Sequence, residues 1–186
     1  MRITIIRHGK PDFEWHRKVG GSDFRSLERA YDSAGIVGMP PEESRILMSH
    51  HEIIVCSDLP RSIQSAQALG ATAIHYTSPI FREMNLPYFD RLPLNLPLKY
   101  WVVVLRTLWV LGFSKNTESF SKARSRAKKA SIILTELAAE HGSVLFVGHG
   151  FLNHYVAKAL LAANWDGPSS PGKKYWGFGT YEYAGT

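Results

Sequence analysis

The chain has 186 residues, with 22 Lys and Arg against 16 Asp and Glu, a formal net charge of +6 with histidines neutral. Hydrophobic residues make up 45% and charged residues 20%, an ordinary globular balance that excludes disorder and low complexity and leaves length enough for one substantial core. The lone Cys56 excludes an internal disulfide, argues against a structural zinc site and fits a reducing, cytoplasmic setting. The basic balance has three readings: a phosphorylated substrate, nucleic acid, or a solvated surface.

The chain opens on Arg2-Ile-Thr-Ile-Ile6, a β-branched run suited to a buried strand, which stops on Arg7-His8-Gly9. A polar and aromatic loop follows, then a short helix over 24–31 with Asp23 as its cap. Pro40-Pro41-Glu42-Glu43 opens a helical turn, because proline suits a first turn and acids suit the positive end of the helix dipole. A second strand, 52–56, runs into Ser57-Asp58-Leu59-Pro60-Arg61-Ser62. There a helix starts, with Ser57 or Asp58 as cap, Pro60 in the first turn and Gly70 as the stop. Arg61 therefore sits beside free backbone N–H groups that already favour anions. Cys56, inside the strand, reads as a small buried hydrophobe.

A strand over 73–76 leads to Ile80-Phe81-Arg82-Glu83, and residues 84–100 are Pro- and Leu-rich and irregular. Residues 101–113 form a helix apolar nearly all round, packed on the domain, on a second subunit or on a lipid surface, the first being favoured. The run contains Arg106 and is too short to span a bilayer. A long helix capped by Asn116 or Thr117 continues to about residue 141. Its Lys122, Arg124, Arg126, Lys128 and Lys129 read as a solvated face rather than a nucleic-acid surface, since no aromatic platform is interleaved with them. The strand 143–148 ends in Gly148-His149-Gly150, a helix covers 151–163, and 175–183 closes the chain as an edge strand.

Strands alternating with helices predict a three-layer α/β/α sandwich around a mainly parallel sheet. Three strands deliver Arg7, His8, Arg61 and His149 to carboxyl ends, where ligands bind in such sheets. Two arginines and two histidines around one space suit a phosphate.

These motifs, in this order and with Glu83 after a short apolar strand, resemble the histidine phosphatase superfamily, the phosphoglycerate-mutase-like group, from residue 1 to about 160. The resemblance implies a single domain over 1–186, with 84–117 as a cap or insertion that varies with substrate. It implies a metal-independent phosphohydrolase without cofactor, acting through a phosphohistidine on His8. Arg7, Arg61 and His149 would bind phosphate, and Glu83 would be the proton donor. Spacing alone does not separate His8 from His149 as nucleophile. Gly9 lets the backbone turn tightly and leaves room for the phosphate. Glu14 stands where mutases of the group carry asparagine, Lys10-Pro11 departs from their pattern and the chain is shorter, all of which favours a hydrolase. The expected partner is a phosphorylated small molecule or phosphoprotein, with no nucleic acid and no membrane span; the oligomeric state stays open. Alternatives are a phosphohistidine protein phosphatase or a noncatalytic module that binds a phospho-ligand.

Overall fold

The computed structural model describes residues 1–15, 18–20, 23–90 and 94–184. In chain order the elements are β1 (Arg2–Arg7), β2 (Lys10–Pro11), β3 (Lys18–Val19), α1 (Phe24–Ser33), β4 (Ile36–Val37), α2 (Glu42–Ile46), β5 (Ile53–Cys56) and α3 (Pro60–Leu69). There follow β6 (Tyr76–Thr77), β7 (Leu96–Pro97), α4 (Leu98–Val110), α5 (Phe120–His141), β8 (Ser143–Gly148), α6 (Gly150–Ala162) and β9 (Phe178–Glu182).

The main sheet runs β6-β5-β8-β1-β9. Its first four strands are parallel, and β9 closes the edge antiparallel to β1. This is the mainly parallel α/β sheet the sequence predicts. Side-chain alternation sorts the apolar run of each strand onto two covered faces. Ile3 and Ile5 of β1 and Val144 and Phe146 of β8 meet Ala127, Ala130 and Leu134 of α5 and Val156 of α6. Ile6, Ile54, Leu145 and Val147 pack on the opposite side against Ala66 and Leu69 of α3. Helices therefore lie on both sides of a sheet whose strand ends are held rigidly.

Local differences from the sequence reading have identifiable causes. Asp23 does not cap α1; its carboxylate accepts from the Gly20 N–H instead. α1 runs two residues past its expected end, to Ser33. α3 starts from an extended Leu59, with Pro60 first in the helix and Gly70 ending it at φ 106°, where a side chain would be strained. Asp58 is drawn off to a two-pronged pair with Arg82, at 2.7 and 2.6 Å. The cap of α5 is Ser119, while Asn116 takes a positive φ and bonds Tyr88 O and Asp90. The strand expected over 73–76 is the two-residue β6, and the last strand is 178–182.

The helix expected over 101–113 begins and ends three residues earlier, at Leu98 and Val110. It is buried on one face only. Leu98, Trp101, Leu105 and Trp109 point inward at helical spacing, and Trp101 Nε1 donates to Val19 O at 3.0 Å. Val103, on the other side, is 64% exposed. Among the described residues no helix is long and apolar enough to cross a membrane.

Candidate active site

Strand β1 delivers its end residues between two backbone neighbours. The His8 N–H donates to Gly148 O at 3.0 Å, while the Arg7 N–H donates to Gly177 O and the Trp176 N–H to Arg7 O. Asn153 Nδ2, from the first turn of α6, donates to Ile6 O at 3.1 Å. The strand end is thus fixed on both edges before any side chain is considered.

His8 is only 1% exposed, and its Nδ1 lies 2.7 Å from Gly9 O. A carbonyl only accepts, so Nδ1 carries the proton and Nε2 keeps its lone pair. Burial foremost, then repulsion from Arg61 and Arg7, lowers the His8 pKa to about 3 against the opposing pull of the Gly9 carbonyl. The ring is therefore neutral throughout the physiological range.

His149 lies at the end of β8 with its ring centroid 5.0 Å from that of His8. It is fully buried, and its Nε2 is 2.6 Å from Ser57 Oγ. The Ser57 hydroxyl also accepts, at 3.4 Å, from the Leu59 N–H. The other ring nitrogen of His149, Nδ1, is buried and without a partner among the described residues. Burial, and then the nearby His8, Arg61 and Arg7, hold the His149 pKa well below its usual value.

Arg61, in the first turn of α3, is fully buried. It donates to Tyr31 O at 2.7 Å, stacks 4.2 Å above the Tyr31 ring and meets Asp32 at a long 3.4 Å. Arg7 stacks 4.4 Å over the Tyr175 ring and donates through Nη1 to Lys173 O. The Nε atoms of both arginines are buried without a partner among the described residues. Buried cations with uncommitted donors favour an anion, since desolvation has already been incurred.

Glu83 is held by three backbone donors. Its Oε1 accepts from Met84 N–H at 2.9 Å and Leu152 N–H at 3.0 Å, and its Oε2 from Phe151 N–H at 3.1 Å. The carboxylate thereby caps the start of α6, immediately after His149. The loop beneath it is pinned by Arg126 of α5, which donates to the carbonyls of Ile80, Arg82 and Glu83 and pairs with Glu118. Arg126 is thus no part of a solvated face; it turns inward, unlike the exposed Lys122, Arg124, Lys128 and Lys129.

Gly9 differs from expectation. A Cβ there would lie 2.3 Å from Trp176 Cζ2, so an indole ring occupies the space that the sequence reading left for phosphate. Its N–H donates to Ser65 Oγ at 2.8 Å, and that hydroxyl donates on to Arg61 O at 2.5 Å. A Cβ on Gly150 would come within 3.2 Å of Arg7 Cζ, which explains the second glycine of Gly148-His149-Gly150.

Sequence reasoning names the two histidines, the two arginines and Glu83, and the structure gathers them at the carboxyl edge of the sheet. It misses the supporting shell: Ser57 on His149, Ser65 under Gly9, Tyr31 and Tyr175 beneath the arginines, and Arg126. Ser57 stands within the strand-to-helix motif, where its position signals only a cap. Tyr31 and Tyr175 arrive from loops and helix ends that no periodicity connects to the strands. Cys56 is buried, and burial pushes its thiol up to about 12, as suits a core residue.

No curated protein matches the sequence. Solved structures share the fold at low identity. A mycobacterial glucosyl-3-phosphoglycerate phosphatase is 21% identical, with a TM-score of 0.54 over 87% of this chain and 79% of that one. A phosphoglycerate mutase from Thermus thermophilus is 22% identical, with a TM-score of 0.52 over 86% and 84%. A protein described as mycobacterial hydrolase 2 is 18% identical, with a TM-score of 0.60 over 99% and 84%. The sequence matches the model of the histidine phosphatase superfamily (branch 1) over residues 3–175, a span that takes in Arg7, His8, Arg61, Glu83 and His149, and the chain belongs to that superfamily.

Proposed function

We propose that the protein is a phosphohydrolase that cleaves a phosphomonoester through a phosphohistidine on His8. In the first half, His8 Nε2 attacks phosphorus and the bond to the ester oxygen breaks, its electron pair leaving on that oxygen. Glu83 supplies the proton this oxygen needs. In the second half, water attacks phosphorus as Glu83 takes its proton. The P–N bond then breaks, its electron pair returning to Nε2 and inorganic phosphate leaving. Arg7, Arg61 and His149 Nδ1 donate to the phosphate oxygens, where charge is greatest in the transition state. The scheme routes no step through a metal or cofactor.

The fixed tautomer of His8 carries this reading. Its Nδ1 is committed to Gly9 O, so the lone pair on Nε2 is the free one. The depressed pKa supports it, because a neutral imidazole needs no deprotonation before attack. The test is a panel of phosphomonoesters assayed with native and His8→Ala protein, without added metal. The native protein is expected to turn over at least one ester, with a loss of about 10³-fold or more in the variant. Phosphate should still bind the variant. Undiminished turnover by His8→Ala would contradict the proposal, and phosphate binding without turnover in the native protein would favour a binding module.

A further inference from the structure

A cavity of about 740 Å³, far larger than one phosphate requires, lies against Arg7 and Glu83. Arg7, Gly150 and Glu83 line its cradle end. The apolar wall is built from Phe13, Trp15, Tyr88, Leu98 and Val102, with Phe151 beside Glu83. The lining is mostly apolar, with Glu28, Asn85, Thr107 and His154 spaced through it. Asp32 and Lys173 lie at the cradle end, tied respectively to Arg61 and Arg7. Arg106 lies beside the Glu83 loop; it stacks 4.2 Å over Phe151 and donates to Met84 O at 2.9 Å, with Nη1 buried and unpartnered among the described residues.

The aromatic part of the wall is rigid. Phe13, Trp15 and Tyr31 form a closed edge-to-face triangle with centroids 5.1, 5.2 and 5.3 Å apart. The acid that serves the leaving oxygen must touch it, and Glu83 lies where cavity and cradle join. The alcohol departing from phosphorus therefore extends into the cavity rather than toward solvent.

Resting on the hydrolase reading above, we propose that the substrate is the phosphomonoester of a bulky, largely apolar small-molecule alcohol with a ring system, carrying few oxygens. Small polar esters such as sugar or glycerol phosphates leave the aromatic wall uncovered and are poor substrates. The wall thus sets specificity while the cradle sets chemistry.

The experiment compares kcat/KM for 2-(1-naphthyl)ethyl phosphate and glycerol 3-phosphate. Both leave as primary alkoxides, so the ratio reports contacts rather than leaving-group acidity. The native protein should favour the naphthyl ester by about 10²-fold, from burial of its rings. Val102→Glu puts a carboxylate into the wall and should lower that ratio about tenfold or more, leaving glycerol 3-phosphate turnover unchanged. Val103→Glu, at a more exposed point of the same wall, should lower it in the same direction and has little folding at stake. Equal efficiencies in the native protein, or a ratio that both variants leave unchanged, would overturn the apolar-substrate proposal and keep the hydrolase. Turnover of neither ester, nor of any in the wider panel, would overturn the hydrolase reading and this proposal with it.

Discussion

The carboxyl edge of the sheet and the segment from 84 to 117 are built by opposite rules. At the edge, His8, Arg61 and His149 are essentially inaccessible, and backbone carbonyls fix the His8 ring and the Arg61 guanidinium. Along the segment, α4 buries one stripe and leaves Val103 exposed, and Leu111 just after it is 78% exposed. Such a fixed edge suits the proposed phosphate chemistry, which needs donors held in place. On the same proposal, the segment only has to shape a wall. A protein can thus hold one reaction constant while the covering segment changes what is admitted.

Changes at the edge should therefore be severe. Arg61→Lys removes the planar fork that stacks on the Tyr31 ring and is proposed to meet phosphate, so kcat/KM should fall about 10²- to 10³-fold in a steady-state assay despite the retained charge. Glu83→Gln should lower turnover about 10²-fold. It should also lower the melting temperature, because one amide –NH2 would face a backbone N–H at the start of α6. A variant with normal stability and lost turnover would assign Glu83 to chemistry alone. The reverse result would make it only a cap.

The edge should also impose a pH signature. Folded His8 stays neutral down to about pH 3, while the unfolded chain takes up a proton near 6.5. Between those values the unfolded state binds more protons, so stability falls as pH drops through this window and is unaffected by His8 above it. His149, also depressed, adds in the same direction. Urea unfolding at pH 7 and pH 4 should show native protein losing on the order of 3 kcal/mol more than His8→Gln. Equal losses would mean that the buried ring is not held neutral.

Two smaller effects complete the contrast. Gly9→Ala forces the Trp176 ring to move and should cost about 1–3 kcal/mol by the same urea measurement. Leu111→Ser, on the exposed side of the segment, should change stability by no more than about 0.5 kcal/mol.

Sequence legibility divides along the same line. Ile3–Ile6 and Val144–Val147 reveal the buried strands because both faces are apolar, and the motif residues stand directly at their ends. Arg126 is illegible because its helix neighbours are exposed cations; only the loop carbonyls it meets distinguish it. Helix α4 is legible as a helix, but its all-apolar pattern hides which face packs, since hydrophobicity alone does not say whether a valine has a neighbour. The indole of Trp176 over Gly9 comes from a residue far along the chain, with a positive φ of 64° that no pattern signals.

The proposed catalysis depends on the lone pair of His8 Nε2 reaching phosphorus. A brief pulse of native protein with a radiolabelled phosphomonoester it hydrolyses, quenched in alkali, measures this directly. The expected result is acid-labile, alkali-stable label on the peptide containing His8, absent from His8→Ala. Label on another residue, or product release with none on His8 above the His8→Ala background, would contradict it.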